Sequence, residues 1–170
     1  MKSIRILSAL CLALLFLNFA TKQENKPTVY TVGDSTVKNG SGKGDGGLWG
    51  WGDYIGQFLD ASKITVENHA LGGTSSRTFQ DKGLWEPVFK KLKKGDYVLI
   101  QFGHNDNGPL NDDSRARGTI KGIGEETEEI DNILTKKHEI VHTYGWYIRK
   151  IVKDAKSKGA IPVKIGRAHV

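Results

Sequence analysis

Thr28-Val29-Tyr30-Thr31-Val32-Gly33-Asp34-Ser35 is the stretch on which the fold turns. Residues 28–32 are β-branched or aromatic, types that suit a pleated, half-buried surface, so they predict a first strand ending at Gly33-Asp34-Ser35. Two later stretches repeat that order. Ile64-Thr65-Val66 predicts a strand leading to Asn68-His69-Ala70-Leu71-Gly72-Gly73. Residues 97–102 form an apolar run of buried type, followed by Gly103-His104-Asn105-Asp106. A fourth strand begins at Ile161-Pro162-Val163, after a glycine stop at Gly159.

Helical patterns lie between these strands. Trp51, Tyr54, Ile55, Phe58 and Leu59 are spaced as one helix face and predict a helix over residues 49–59. Residues 85–92 predict another, stopped by Lys93-Lys94-Gly95. A long helix is expected over residues 135–158, with Ile140, Tyr144, Tyr147, Ile148, Ile151, Val152 and Ala155 facing inward. Residues 38–47 read as a glycine-rich loop, and residues 107–124 as a long polar loop of the kind that borders a site. Alternating strands and helices predict an α/β fold, a three-layer α/β/α sandwich on a parallel sheet.

The 170 residues carry 25 Lys+Arg against 19 Asp+Glu, a formal charge of +6. With 38% hydrophobic and 26% charged residues, neither a disordered chain nor a polytopic membrane protein fits. Residues 1–20 read as a secretory signal peptide: Lys2 and Arg5 precede an apolar run over 6–17, with Ala20 as the small residue for cleavage. That run is shorter than the roughly 20 apolar residues a membrane span needs, and an uncleaved anchor is the competing reading. Residues 21–27 follow as a polar linker, and a secreted or periplasmic location is expected. At the other end, Lys164-Ile165-Gly166-Arg167-Ala168-His169-Val170 supplies neither the rest of a strand nor a closing helix, and is read as a non-native tail. The domain is therefore taken as residues 28–163. Without Lys2, Arg5, Lys164 and Arg167, 21 basic side chains remain against 19 acidic ones, which removes the argument for a nucleic-acid partner. Cys11 is the only cysteine, so no disulfide and no thiol chemistry is expected of the mature chain.

Chemistry concentrates at the three strand ends. In a parallel sheet these share one edge, where ligands bind, so clusters about 35 residues apart in sequence should converge. Ser35, directly after a strand, is placed as an exposed nucleophile. Glycine at 73 lets a backbone N–H approach an oxyanion, and the Asn105 amide can supply a second donor. Each cluster taken singly is more commonly a cap or a turn. Their order at three successive strand ends points to an acyl-transfer site.

Gly33-Asp34-Ser35-Thr36, Asn68-x-x-x-Gly72-Gly73-x-Ser75-x-Arg77 and Gly103-His104-Asn105-Asp106 resemble the first three blocks of the SGNH (GDSL-type) hydrolases. Thr28-Val29-Tyr30, Gly50-Trp51-Gly52 with Tyr54, and Lys94-Gly95-Asp96-Tyr97-Val98 resemble the rhamnogalacturonan acetylesterase-like branch. The resemblance covers residues 28–163. It implies a flavodoxin-like sheet, here without its last strands and helix. Ser35 would be the nucleophile, with its own N–H, the Gly73 N–H and the Asn105 amide as oxyanion hole. Asp34, Arg77, His104 and Asp106 would be supporting residues. The substrate would be an acetylated polysaccharide or oligosaccharide of the pectin type, with no metal or organic cofactor.

The family's Asp-x-x-His pair, which supplies the base, occurs nowhere in the chain, so this chain is expected to be nearly inert. His138 and His142 stand four apart on the expected helix, a metal-like spacing that no further ligand cluster supports. Other readings are weaker. Gly42-Lys43-Gly44-Asp45-Gly46-Gly47 matches G-x-G-x-x-G, but Gly42 lies ten residues after Val32, whereas a dinucleotide loop follows its strand directly. An esterase or thioesterase for other acyl groups would need an apolar channel, against which residues 107–124 are polar. A non-catalytic carbohydrate-binding protein would use Trp49, Trp51 and Trp85 as sugar platforms.

Overall fold

Four strands pair in parallel in the order β2-β1-β3-β6: β1 Thr28–Gly33, β2 Thr65–Asn68, β3 Tyr97–Gln101 and β6 Ile161–Lys164. The computed structural model describes residues 26–166, so the expected signal peptide, most of the linker and the end of the expected tail lie outside the described residues. The helices are α1 Ser76–Asp81, α2 Trp85–Lys91 and α3 Tyr144–Ser157. A parallel sheet with helical crossovers is the α/β fold that the alternating pattern predicts.

The two faces of the sheet are covered differently. Tyr30 and Val32 of β1 lie beside Val98 and Ile100 of β3, all on one face. There they form the main core with Phe79 of α1, Trp85 and Val88 of α2, and Tyr144, Ile151 and Ala155 of α3. On the opposite face Tyr97, Leu99 and Gln101 are only half-buried, and Ile161 and Val163 of β6 are exposed. Two short 3₁₀ turns, Trp51–Asp53 and Ile55–Phe58, cover part of it. They replace the helix expected over residues 49–59. Gly50 and Gly52 explain the replacement: a side chain at Gly50 would meet the Val37 backbone, with its carbonyl carbon 2.0 Å from the added Cβ. The segment is therefore held by close backbone approach, and glycine is a poor helix former.

The largest departure lies in residues 127–142. Two antiparallel strands, β4 Thr127–Asp131 and β5 His138–His142, occupy the front of the expected 135–158 helix, and α3 starts only at Tyr144. Thr143 is the physical boundary: its hydroxyl accepts from the Trp146 N–H at 3.1 Å, an N-cap. Ile140, expected on the inner helix face, is exposed on β5 while Val141 is buried, a period of two. His138 and His142 therefore share a strand face. His138 contacts Asp131 and Glu129, whereas His142 stacks on Trp146 with centroids 3.8 Å apart. Among the described residues no group of three His, Cys, Asp or Glu is arranged to hold a metal ion. Lys164 pairs with Ile100 and the Ile165 N–H donates to the Ile100 carbonyl at 2.9 Å, so β6 runs past the boundary drawn at Val163.

Asp96 ties three elements together at the amino edge of the sheet. Its buried carboxylate accepts from the Thr28 N–H and the Lys93 N–H, each at 2.8 Å, and its carbonyl accepts from the Ile161 N–H at 2.7 Å. Charge-assisted bonds of this kind contribute about 1.5–3 kcal/mol, and an orphaned buried donor is costly. Asp96→Ala is expected to lower the unfolding free energy by about 3 kcal/mol. Lys90→Ala, which breaks only the exposed pair with Glu86, should change it by less than about 0.5 kcal/mol in the same urea titration. Equal effects would show that Asp96 does not organise this edge.

Candidate active site

The site grows out of the ends of β2, β1 and β3, which are neighbours in the sheet. After Gly33 the chain turns sharply: the Val37 and Lys38 N–H groups both donate to the Asp34 carbonyl, at 3.1 and 3.0 Å. The buried Asp34 carboxylate accepts from the Thr36 N–H and hydroxyl, each at 2.8 Å. Asp34 thus holds the turn that carries Ser35. Gly33 must be glycine, because an added Cβ would lie 2.4 Å from the Gln101 carbonyl oxygen. Gln101 locks the same turn from β3, donating to the Thr36 hydroxyl at 2.6 Å and accepting from the Trp51 indole at 2.7 Å.

The second cluster is anchored on β2. Asn68 accepts from the Thr31 hydroxyl at 2.8 Å and donates to Asp53 at 2.8 Å, fixing the strand exit against β1 and the first 3₁₀ turn. The Leu71 N–H donates to the Gly33 carbonyl at 3.0 Å, which brings Gly72-Gly73 beside the Ser35 turn. Gly73 has a φ of 83°, the left-handed region that favours glycine, and a Cβ added there would meet nothing nearer than the Arg117 guanidinium at 3.7 Å. From the third cluster, the buried Asn105 amide donates to the Thr74 carbonyl at 2.7 Å, which leaves its second N–H proton for another acceptor. Among the described residues no partner engages the Ser35 N–H, the Ser35 hydroxyl or the Gly73 N–H. One hydroxyl and three uncommitted donors are therefore grouped at one sheet edge.

Two buried ionisable residues hold these loops. Arg77 is 1% exposed, and its guanidinium donates to the carbonyls of Leu110 (3.1 Å), Gly118 (2.9 Å) and Ala116. Asp81 and Glu139 lie 3.6 and 3.7 Å from it. The long polar loop is consequently pinned, and it also bridges to Thr143 through Ile120. Asp106 is 2% exposed and accepts from the Ser76 N–H at 3.0 Å and from the Ser76 hydroxyl. Burial pushes its carboxyl above the usual carboxylate range, against the lowering effect of the Ser76 bonds. His104, between Gly103 and Asn105, points to solvent.

Helix α1, which carries Ser76 and Arg77, was not expected. Its signal is the capping box in which the Ser75 hydroxyl accepts from the Thr78 N–H and the Thr78 hydroxyl accepts from the Ser75 N–H. At six residues it is too short for hydrophobic periodicity to show. Arg117 was also missed. Its guanidinium donates to the Gly73 carbonyl at 2.8 Å, a contact across 44 positions of sequence.

A parallel α/β sheet with a serine turn, a glycine N–H and an asparagine amide at adjacent strand ends is an arrangement that acyl-transfer chemistry can use. The GDSL-like Lipase/Acylhydrolase family profile matches residues 29–158, and the chain belongs to that family. It is 36% identical over 133 residues to a rhamnogalacturonan acetylesterase of Emericella nidulans, covering 78% of this chain and 49% of that protein. It is 41% identical over 81 residues to rhamnogalacturonan acetylesterase RhgT of Bacillus subtilis, covering 48% of this chain and 34% of that one. The X-ray structure of the YxiM protein of Bacillus subtilis superposes with a TM-score of 0.59 at 27% identity, covering 82% of this chain and 32% of that chain. The chain thus spans about half the length, or less, of these relatives.

Because the folded pKa of Asp106 is raised, the native state holds this proton to a higher pH than the unfolded chain does. Stability from this group is present in acid and falls as pH rises from the ordinary aspartate value of about 3.9 through the folded value. Asp106→Asn removes the titration. In chemical denaturation at pH 4, 5.5 and 7, the variant's stability relative to the wild type should improve steadily with pH. A constant difference would show that Asp106 does not titrate in that range.

Proposed function

We propose that this protein is a serine esterase that removes acetyl groups from a pectin-type polysaccharide. The supporting observation is the grouping of the Ser35 hydroxyl with three uncommitted donors at one sheet edge. The rhamnogalacturonan acetylesterases among its relatives direct the substrate reading. In the proposed reaction the Ser35 oxygen attacks the acetyl carbonyl and its proton passes to a base. The oxyanion accepts from the N–H groups of Ser35 and Gly73 and from the Asn105 amide. The sugar hydroxyl then leaves with a proton, and water hydrolyses the acetyl-serine. Donors set in advance around a developing oxyanion contribute about 2.7–4 kcal/mol each to such a step.

No proton acceptor is in place beside Ser35 among the described residues. Among the described residues no histidine ring bonds the Ser35 hydroxyl: His69 pairs with Glu67 at 2.7 Å, and His138 and His142 belong to the β4–β5 hairpin. With no Asp-x-x-His in the sequence, we infer slow turnover for this chain, since loss of a triad member costs about 10⁴-fold or more. The apolar run over residues 6–17 supports export, with residues 1–20 as its signal.

Incubation with an activated aryl acetate is expected to leave one acetyl adduct on Ser35, located by peptide mass spectrometry and absent from Ser35→Ala. An adduct that survives in Ser35→Ala would remove Ser35 from the mechanism. With acetylated pectin as substrate, any turnover should release acetate in preference to hydrolysing long-chain aryl esters. The opposite preference would replace the polysaccharide reading with a lipid one.

A further inference from the structure

Beside the oxyanion side of the site lies an open depression of about 260 Å³, reaching from Gly72 and Gly73 to Lys82, Arg115 and Arg117. None of the residues lining it is acidic. Lys82 follows α1, and its side chain, like that of Arg115, lies in no ion pair among the described residues. Arg117 spends one N–H on the Gly73 carbonyl, and its fork is otherwise uncommitted. The carboxylates nearby are occupied elsewhere. Asp81 and Glu139 face Arg77, and Asp112 accepts from the N–H groups of Arg115 (2.8 Å) and Ala116 and from the Ser114 hydroxyl (2.8 Å).

The loop that presents the two arginines is held in a costly shape. Ala116, between them, has a φ of 41°, in the left-handed region where a side chain costs roughly 1–2 kcal/mol. Arg77 on its carbonyl and Asp112 on its N–H enforce that conformation. Burial, and then the neighbouring charge of Arg115, lower the Arg117 pKa against the raising effect of Asp112, Asp34 and Asp106. The two cations therefore repel each other, and these carboxylates only partly offset the charge of Arg117. A strained loop that crowds like charges beside a reactive serine suits an anionic ligand.

We propose that Lys82, Arg115 and Arg117 form a subsite for the carboxylate of a uronic acid residue in the substrate chain. An arginine fork matches a carboxylate in bidentate fashion, and the lysine adds a point charge. Because Arg117 also holds the Gly73 carbonyl, a sugar seated there lies next to the oxyanion donors, with its acetylated neighbour directed at Ser35. This inference rests on the polysaccharide-esterase reading for its ligand but is read out by binding alone.

The test is calorimetric titration of the 170-residue chain with unacetylated trigalacturonate and with neutral xylotriose. Trigalacturonate is expected to bind at least about tenfold more tightly, with affinity falling as salt rises. Arg115→Gln should weaken it by about tenfold or more, and Lys82→Gln should weaken it in the same direction. Both side chains are exposed and make no bond in the fold, so each variant should keep the wild-type circular dichroism spectrum. Equal binding of the neutral trimer, no binding of either, or unchanged affinity in both variants would overturn the subsite. The Ser35 acetylation assay on the wild-type chain separates the two readings. If acetylation of Ser35 fails while selective trigalacturonate binding persists, the esterase reading falls alone. If Ser35 is acetylated and selectivity is absent, the subsite falls alone.

Discussion

Parallel pairing of β1 between β2 and β3 is the constraint from which the site follows. Thr31 lies opposite both Asn68 and Leu99, and Gly33 lies opposite Gln101, so the three exits leave the sheet in register at one edge. A parallel register cannot slip by one residue without turning Val32, Val98 and Ile100 out of the core they share with Phe79 and Ile151. Hydrophobic burial on one face therefore sets the position of polar groups at the end of the strands. The carbonyl of Gly33 makes the link direct: it accepts from the Leu71 N–H and so carries the register into the Gly72-Gly73 turn.

Beyond the sheet, the loops are held by buried polar groups. Arg77, Asp106, Asp96 and Asp34 are all nearly inaccessible; the first three are committed to backbone or hydroxyl groups of another segment, and Asp34 to Thr36 of its own turn. A buried charge is costly unless satisfied, and here most of the satisfaction comes from loop carbonyls and N–H groups, with Arg77 Nε and Asp106 Oδ2 left without a hydrogen bond among the described residues. This is a different arrangement from a catalytic one. Side chains of this kind fix geometry, while the Ser35 hydroxyl and the Gly73 N–H stay uncommitted. The same logic extends to Ala116, whose unfavourable backbone angle survives because Arg77 and Asp112 enforce it from two sides.

Local signals carried the strands and the three polar clusters. Residues 28–32 are all β-branched or aromatic and residues 97–101 are mostly apolar, patterns that suit buried strands, and Gly33 and Gly103 free the turns that follow. The parts that misled are those where local pattern and tertiary contact disagree. Tyr144 to Ala155 is helical as its spacing requires, but the apolar positions before Thr143 were drawn into the same helix. In residues 127–142 the buried Ile130 lies opposite Glu139 and the buried Val141 opposite Glu128, and a single buried residue per strand is too sparse to announce a period of two. The segment 49–59 has helical spacing, yet Gly50 and Gly52 are needed for contact with Val37, which no periodicity reveals.

The sequence by itself determined the sheet, the order of its strands' polar exits and membership of a family of acyl hydrolases, because strand propensity and short glycine-centred motifs are local properties. Only the tertiary structure decided that Gln101 and Asp34 share the Ser35 turn and that Arg77 pins the 107–118 loop. It alone also placed Lys82, Arg115 and Arg117 around one depression. The contacts of Gln101 with Thr36, of Arg77 with Leu110 and the approach of Lys82 to Arg115 join residues more than thirty positions apart. They exist only once the sheet has closed the intervening chain, and no local pattern encodes them.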